Sequence, residues 1–170
     1  MTAYRLSDTV KYPAYLDIET TGLSPYHSNL TVIGIHIENG CEDVIQIIGD
    51  DITASALIES VKNAGTLYTY NGSRFDLPFI KEKLNVDLTD FCPHNDLMYS
   101  CWRNNLRGGL KAVERQLGIE RNLTDVDGWV AVQLWNSYKW NGCNASLNKL
   151  LEYNKEDVLN LKKLRALLKV

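Results

Sequence analysis

Asp17-Ile18-Glu19 lies at the end of a β-branched and aromatic run, so in a strand both carboxylates point to one face while Ile18 turns to the other. Two such carboxylates repel unless a cation lies between them, so the pair is either a metal site or an exposed strand end. Tyr153 and Asp157 are four residues apart in a helical-period stretch, one turn apart on one face. They lie beside the apolar stripe of Leu147, Leu150, Leu151, Val158, Leu161, Leu164 and Leu168. Taken alone, they read as a core-edge aromatic and a solvated charge. Asn71-Gly72-Ser73-Arg74-Phe75-Asp76 is a turn that delivers a further carboxylate to the start of a helix, where an Asp is often a cap.

These side chains need elements to hold them. Tyr12 to Ile18, Thr31 to Glu38 and Asp43 to Ile48, the last after an Asn39-Gly40 turn, predict three strands in a meander. Asp51 to Asn63 carries Ile52, Ala56, Leu57 and Val61 at helical spacing, with a possible Asp cap and an end at Gly65. Leu67 to Tyr70 is then a short strand, Leu77 to Leu84 a helix and Pro93 to Leu97 a short strand. Leu110 to Leu117, Gly128 to Tyr138 and Ala145 to Leu168 are helical in period. A meander, then alternation, then helices is the order of an α/β ribonuclease H-like fold: a five-stranded mixed sheet, antiparallel meander plus parallel extension, flanked by helices.

Length and composition set the frame. The 170 residues suit a single domain, 1–170, and 45 % hydrophobic with 23 % charged residues is the make-up of a globular chain. Apolar runs are short, the longest being pieces such as Leu30 to Ile37, so no membrane span is expected. Cys41, Cys92, Cys101 and Cys143 lack zinc spacing and nothing at Met1-Thr2-Ala3 resembles a leader, so reduced thiols and a cytoplasmic setting are expected. The net charge of −3 divides into −8 over residues 1–96 and +5 over 97–170, which suits an acidic site facing a basic surface or merely two solvated faces. His27, His36 and His94 share no metal-ligand spacing.

Three segments, in order, resemble the exonuclease motifs of the DEDD (DnaQ-like) superfamily. They are Asp17-Ile18-Glu19-Thr20-Thr21-Gly22-Leu23, then Tyr70-Asn71-Gly72 with Phe75-Asp76-Leu77-Pro78-Phe79, then Tyr153-Asn154-Lys155-Glu156-Asp157-Val158. Tyrosine four before the last aspartate, with Glu152 where the other branch has histidine, is similar to the tyrosine (DEDDy) branch. Asp127-Gly128-Trp129-Val130-Ala131-Val132 with Leu134-Trp135 looks like the YprB-type ribonuclease H-like domain.

The resemblance implies a 3′-to-5′ exonuclease that removes nucleoside 5′-monophosphates from single-stranded DNA or RNA with two divalent cations, Mg²⁺ or Mn²⁺. Asp17 would bridge both ions, Glu19 and Asp157 complete the first, and Asp76 hold the second largely through water. Tyr153 would orient the attacking water rather than deprotonate it, since a phenol near pKa 10 is a poor base at neutral pH. Thr20, Thr21, Gly22 and Leu23 would hold the terminal nucleotide, Phe75 stack on a base, and Asn71 touch the nucleotide or make the turn. The alternatives are a structure-specific endonuclease on the same site and a silent nucleic-acid-binding module.

Arg103, Arg107, Lys111 and Arg115 recur at four-residue steps, a basic stripe if that region is helical, though Gly108-Gly109 would interrupt it. Asp96 could reach the same sheet edge as the motif acids, with no metal assigned to it. Trp129, Trp135 and Trp140 fit core or partner contacts. A lone exonuclease domain has little surface for gripping a strand, so a homo-oligomer or a larger nuclease, helicase or polymerase assembly is expected.

Overall fold

In a computed structural model, residues 10–170 are described; the expected absence of a leader at Met1-Thr2-Ala3 concerns residues outside that range. The central strand β1 (Tyr12–Thr20) is apolar on both faces because both are covered. It pairs antiparallel with β2 (Leu30–Ile37) and parallel with β4 (Ala64–Thr69). β3 (Val44–Ile48) extends the antiparallel side and β5 (His94–Asp96) the parallel side, giving the order β3-β2-β1-β4-β5.

One face of the sheet, with Ala14, Leu16, Ile18, Ile33 and Ile35, packs on α1 (Ala54–Val61) and α2 (Asp76–Leu84) through Leu57, Val61, Phe79 and Ile80. The other face carries Tyr15, Val32 and Tyr68 and is covered by α3 (Leu97–Arg103), α4 (Leu110–Leu117), α5 (Gly128–Asn141) and α6 (Asn144–Leu168). The five-stranded mixed sheet between helical layers is the architecture expected from the sequence. Among the described residues no helix is long and apolar enough to cross a membrane, and all four cysteines are free.

Several local expectations are corrected. α1 is capped by Thr53, whose hydroxyl accepts from the Ala56 amide at 3.2 Å, while Asp51 lies in a preceding 3₁₀ turn. Gly65 sits inside β4 rather than ending a helix, because parallel pairing with β1 from Tyr12↔Ala64 onward overrides the weak strand preference of glycine. α3 was not anticipated; its apolar side chains Leu97, Met98 and Cys101 are buried under α6, and Asp96 caps it by accepting from the Met98 amide at 3.1 Å. The basic stretch is not one helix. α3 ends at Arg103, Asn105 and Gly108 adopt φ of 59° and 109°, and α4 starts at Leu110, so only Lys111 and Arg115 share a helix face.

Candidate active site

β1 presents Asp17 and Glu19 towards α6, and α6 returns Tyr153 and Asp157 across the same end of the sheet. One oxygen each from Asp17, Glu19 and Asp157 lie within 4.8 Å of one another. The approach is possible because Asp17 faces Gly34 across the β1–β2 ladder. A Cβ at Gly34 would collide with the Asn154 carboxamide and the Val158 methyl, so the missing side chain is the space into which α6 settles. Asn154 fills it, fully buried, and its Nδ2 donates to Asp17 Oδ2 at 3.0 Å and to the Asp17 carbonyl at 3.3 Å. Gln46 Nε2 donates in turn to Asn154 Oδ1 at 3.0 Å. Sequence reasoning passed over Asn154 and Gly34, although a buried-face asparagine beside Tyr153 was a signal in the quoted motif.

Asp76 opens α2 and is 4 % exposed. It is not the cap: Phe75 holds that position without a side-chain bond, and Asp76 Oδ1 accepts from the Ile18 amide at 3.2 Å. It thus borders the three-carboxylate group without belonging to it. Asp96 holds the turn that delivers it. Its oxygens accept from the Asn71 amide (2.8 Å), the Ser73 amide (3.1 Å) and the Ser73 hydroxyl (2.6 Å). Asn71 itself adopts φ of 63°, the left-handed conformation a turn requires, and also lines the larger cavity described below.

An arginine that sequence reasoning missed completes the cluster. Arg121 Nη2 donates to Asp157 Oδ1 and to Glu114 Oε1 (2.7 Å), and Nε donates to Glu114 Oε2 at 2.8 Å. The guanidinium lies 5.7 Å from the centroid of the Tyr153 ring, and Lys111 Nζ lies 4.7 Å from it. Arg121 follows α4 in a loop without periodicity, so nothing in its spacing marked it.

Burial, reinforced by mutual repulsion, raises Asp17 and Glu19 well above the carboxylate range. Burial lifts Asp76 to about 7, against two backbone amides that lower it. It lifts Asp157 to about 6 in spite of Arg121. Tyr153 is pushed far up by burial and the surrounding carboxylates, so its phenol stays protonated. An oxygen-only set that resists ionisation when empty fits a hard divalent cation, which would favour the charged form.

Carboxyls raised in the folded state hold protons that the unfolded chain releases above its value of 3.8. Their contribution is complete below that value and is lost as pH rises through about 6 and about 7. The metal-free protein is therefore expected to lose on the order of several degrees in Tm between about pH 5 and about pH 8. Millimolar Mg²⁺ should flatten the curve; a metal-free Tm that climbs over this range contradicts it.

Two cavities meet at Asp17, Tyr153, Asp157 and Gly128. The smaller, about 220 Å³, is lined by Glu19, Thr20, Gly22, Leu23 and Phe75. Thr21 is not in its lining; its hydroxyl accepts from the Asn29 amide at 2.9 Å and closes the loop. The Thr20 hydroxyl donates within the loop to the Gly22 carbonyl at 2.7 Å. The larger, about 590 Å³, is lined by Tyr70, Asn71, Met98, Lys111 and Arg115. Of the tryptophans, Trp135 is buried in the core, whereas Trp129 and Trp140 are exposed.

A mixed sheet of this order with buried acids at the end of its central strand defines a ribonuclease H-like nuclease fold. The chain belongs to the RNase H superfamily, whose family model matches residues 14–169. Among solved structures it is similar to Brucella melitensis NrnC bound to pGG, with 24 % identity and a TM-score of 0.67 over 98 % of this chain and 76 % of that one. NrnC with bound Mg²⁺ gives 24 % and 0.63 over the same shares. The family B DNA polymerase of Pyrobaculum calidifontis gives 16 % and 0.67 over 92 % of this chain and 24 % of the polymerase. At these identities the likenesses establish the fold. No curated protein matches the chain in sequence.

Proposed function

We propose that residues 1–170 form a single ribonuclease H-like domain of the tyrosine (DEDDy), YprB-type branch that acts as a divalent-metal-dependent 3′-to-5′ exonuclease. The observation that carries this is the convergence of Asp17, Glu19 and Asp157 oxygens within 4.8 Å, beside Tyr153, where two cavities meet. These carboxylates and Asp76 would hold Mg²⁺ or Mn²⁺, as two ions, which supply Lewis acidity and a more acidic water. That NrnC, a neighbour of the same fold, has structures with bound Mg²⁺ and with pGG supports a metal and a nucleic-acid substrate.

The chain's own groups divide the remaining work. Tyr153 keeps its proton and orients the attacking water by hydrogen bonding. Thr20, Gly22, Leu23 and Phe75 receive the terminal nucleotide in the smaller cavity, Thr21 supports their loop, and Asn71 borders the larger cavity. Lys111 and Arg115 face the phosphate preceding the scissile one. A cytoplasmic setting and a homo-oligomer or larger assembly complete the proposal.

The test is 5′-labelled single-stranded DNA and RNA with Mg²⁺ or Mn²⁺, beside a 3′-blocked strand and an EDTA control. Shortening from the 3′ end that stops with the block and with EDTA is expected. Cleavage of the blocked strand would point to an endonuclease, and no cleavage by folded, metal-bound protein to a binding module.

A further inference from the structure

We propose that Arg121 is a positioning residue of this site, holding Asp157 through one carboxylate oxygen so that the other stays aimed at the cation; this rests on the nuclease reading above. Arg121 is 6 % exposed and takes its place through contacts with α4 and α6, among them Glu156 Oε2 at 3.6 Å from Nη1. Nε and Nη2 form a two-point pair with Glu114, itself almost fully buried and bonded by Asn160 Nδ2 at 2.9 Å. Glu156, one residue before Asp157, accepts from the amides of Asn122 (2.5 Å) and Leu123 (3.1 Å), tying down the loop that carries the arginine.

A purely structural ion pair would be complete with Glu114. Here Nη2 makes a further bond, to Asp157 Oδ1, and the guanidinium lies against the Tyr153 ring, so one planar group touches two of the candidate site residues.

Two effects oppose each other at the cation. A positive charge beside Asp157 repels it, while a fixed carboxylate binds it better. Glu114 neutralises the guanidinium through two hydrogen bonds, so the pair presents little net charge to the site and the orienting effect dominates. Asn154 bonds Asp17 in a similar way, through Oδ2 at 3.0 Å. The two anchors thus each bond one of the three converging carboxylates.

The decisive variant is the double substitution Glu114→Gln with Arg121→Gln, which removes both buried charges together and leaves the local net charge unchanged. Mn²⁺ binding is read directly by calorimetry or electron paramagnetic resonance, well below the Tm of every protein compared. The double variant is expected to bind Mn²⁺ about 10- to 100-fold more weakly than wild type. Glu114→Gln alone, which leaves Arg121 on Asp157 but strips its neutralising partner, should lose clearly less affinity than the double variant. Should the double variant not fold, Arg121→Lys serves instead: one ammonium cannot hold both Glu114 and Asp157, and the same direction of loss is expected. Wild-type affinity in a folded variant lacking the arginine overturns the proposal, as does an equal loss in Glu114→Gln. A wild type that binds no Mn²⁺ overturns the nuclease reading together with it.

Discussion

Asp17→Ala is expected to abolish tight metal binding and to slow strand cleavage by about 10³-fold or more, since a lost metal forfeits several kcal/mol of charge stabilisation and each 1.36 kcal/mol is a factor of ten. Asp17 is the residue on which the others converge: its carboxylate meets those of Glu19 and Asp157 and is bonded from behind by Asn154. A loss of activity with a lowered Tm and intact metal affinity would mean that Asp17 is structural. Tyr153→Phe is the contrasting variant. It keeps the buried ring, removes only the hydroxyl, and should slow cleavage by about 10²-fold with metal affinity unchanged. Equal loss of metal affinity in both variants would reject the division of roles.

Gly34→Ala carries the second large effect, although residue 34 bears no functional group. The added methyl would overlap the Asn154 carboxamide and approach the Val158 methyl, and neither neighbour can swing away, since both are buried on α6. Overpacking of this kind costs about 1–3 kcal/mol, to be read as a lowered denaturation midpoint. The larger consequence is chemical. Moving α6 off the sheet carries Asn154, Tyr153 and Asp157 away from Asp17 together, and a displacement near 1 Å is enough for roughly a 10²-fold loss of rate. An alanine variant with wild-type stability and rate would show that α6 does not depend on this contact to position the site.

Both predictions mark where local pattern ends. That Asp17 and Glu19 share a face, and that Tyr153 and Asp157 share a helix side, was legible in the sequence. The strand period of two and the helix period of 3.6 are properties of the backbone and hold wherever the element is packed. The mixed sheet of antiparallel meander and parallel extension was also legible, since these connections leave few ways to close one sheet. The start of β4, the Thr53 cap and α3 were not legible. Gly65 and Asp51 each had a local reading that pairing or capping then overrode, and the stretch after Leu97 had none.

The candidate site divides along the same line. Which acids and which phenol are available, and on which face of its own element each lies, can be read from the chain alone. Packing of the folded chain alone sets that Asn154 bonds Asp17, 137 positions away in sequence, that Gly34 leaves room for it, and that Arg121 holds Asp157. It also placed Asp96 under the turn before Asp76 instead of in the acidic group, and parted Arg103 and Arg107 from Lys111 and Arg115. Periodicity is written by covalent geometry one residue at a time. Distances between remote segments are set by how side-chain volumes pack between layers, which no single stretch of chain contains.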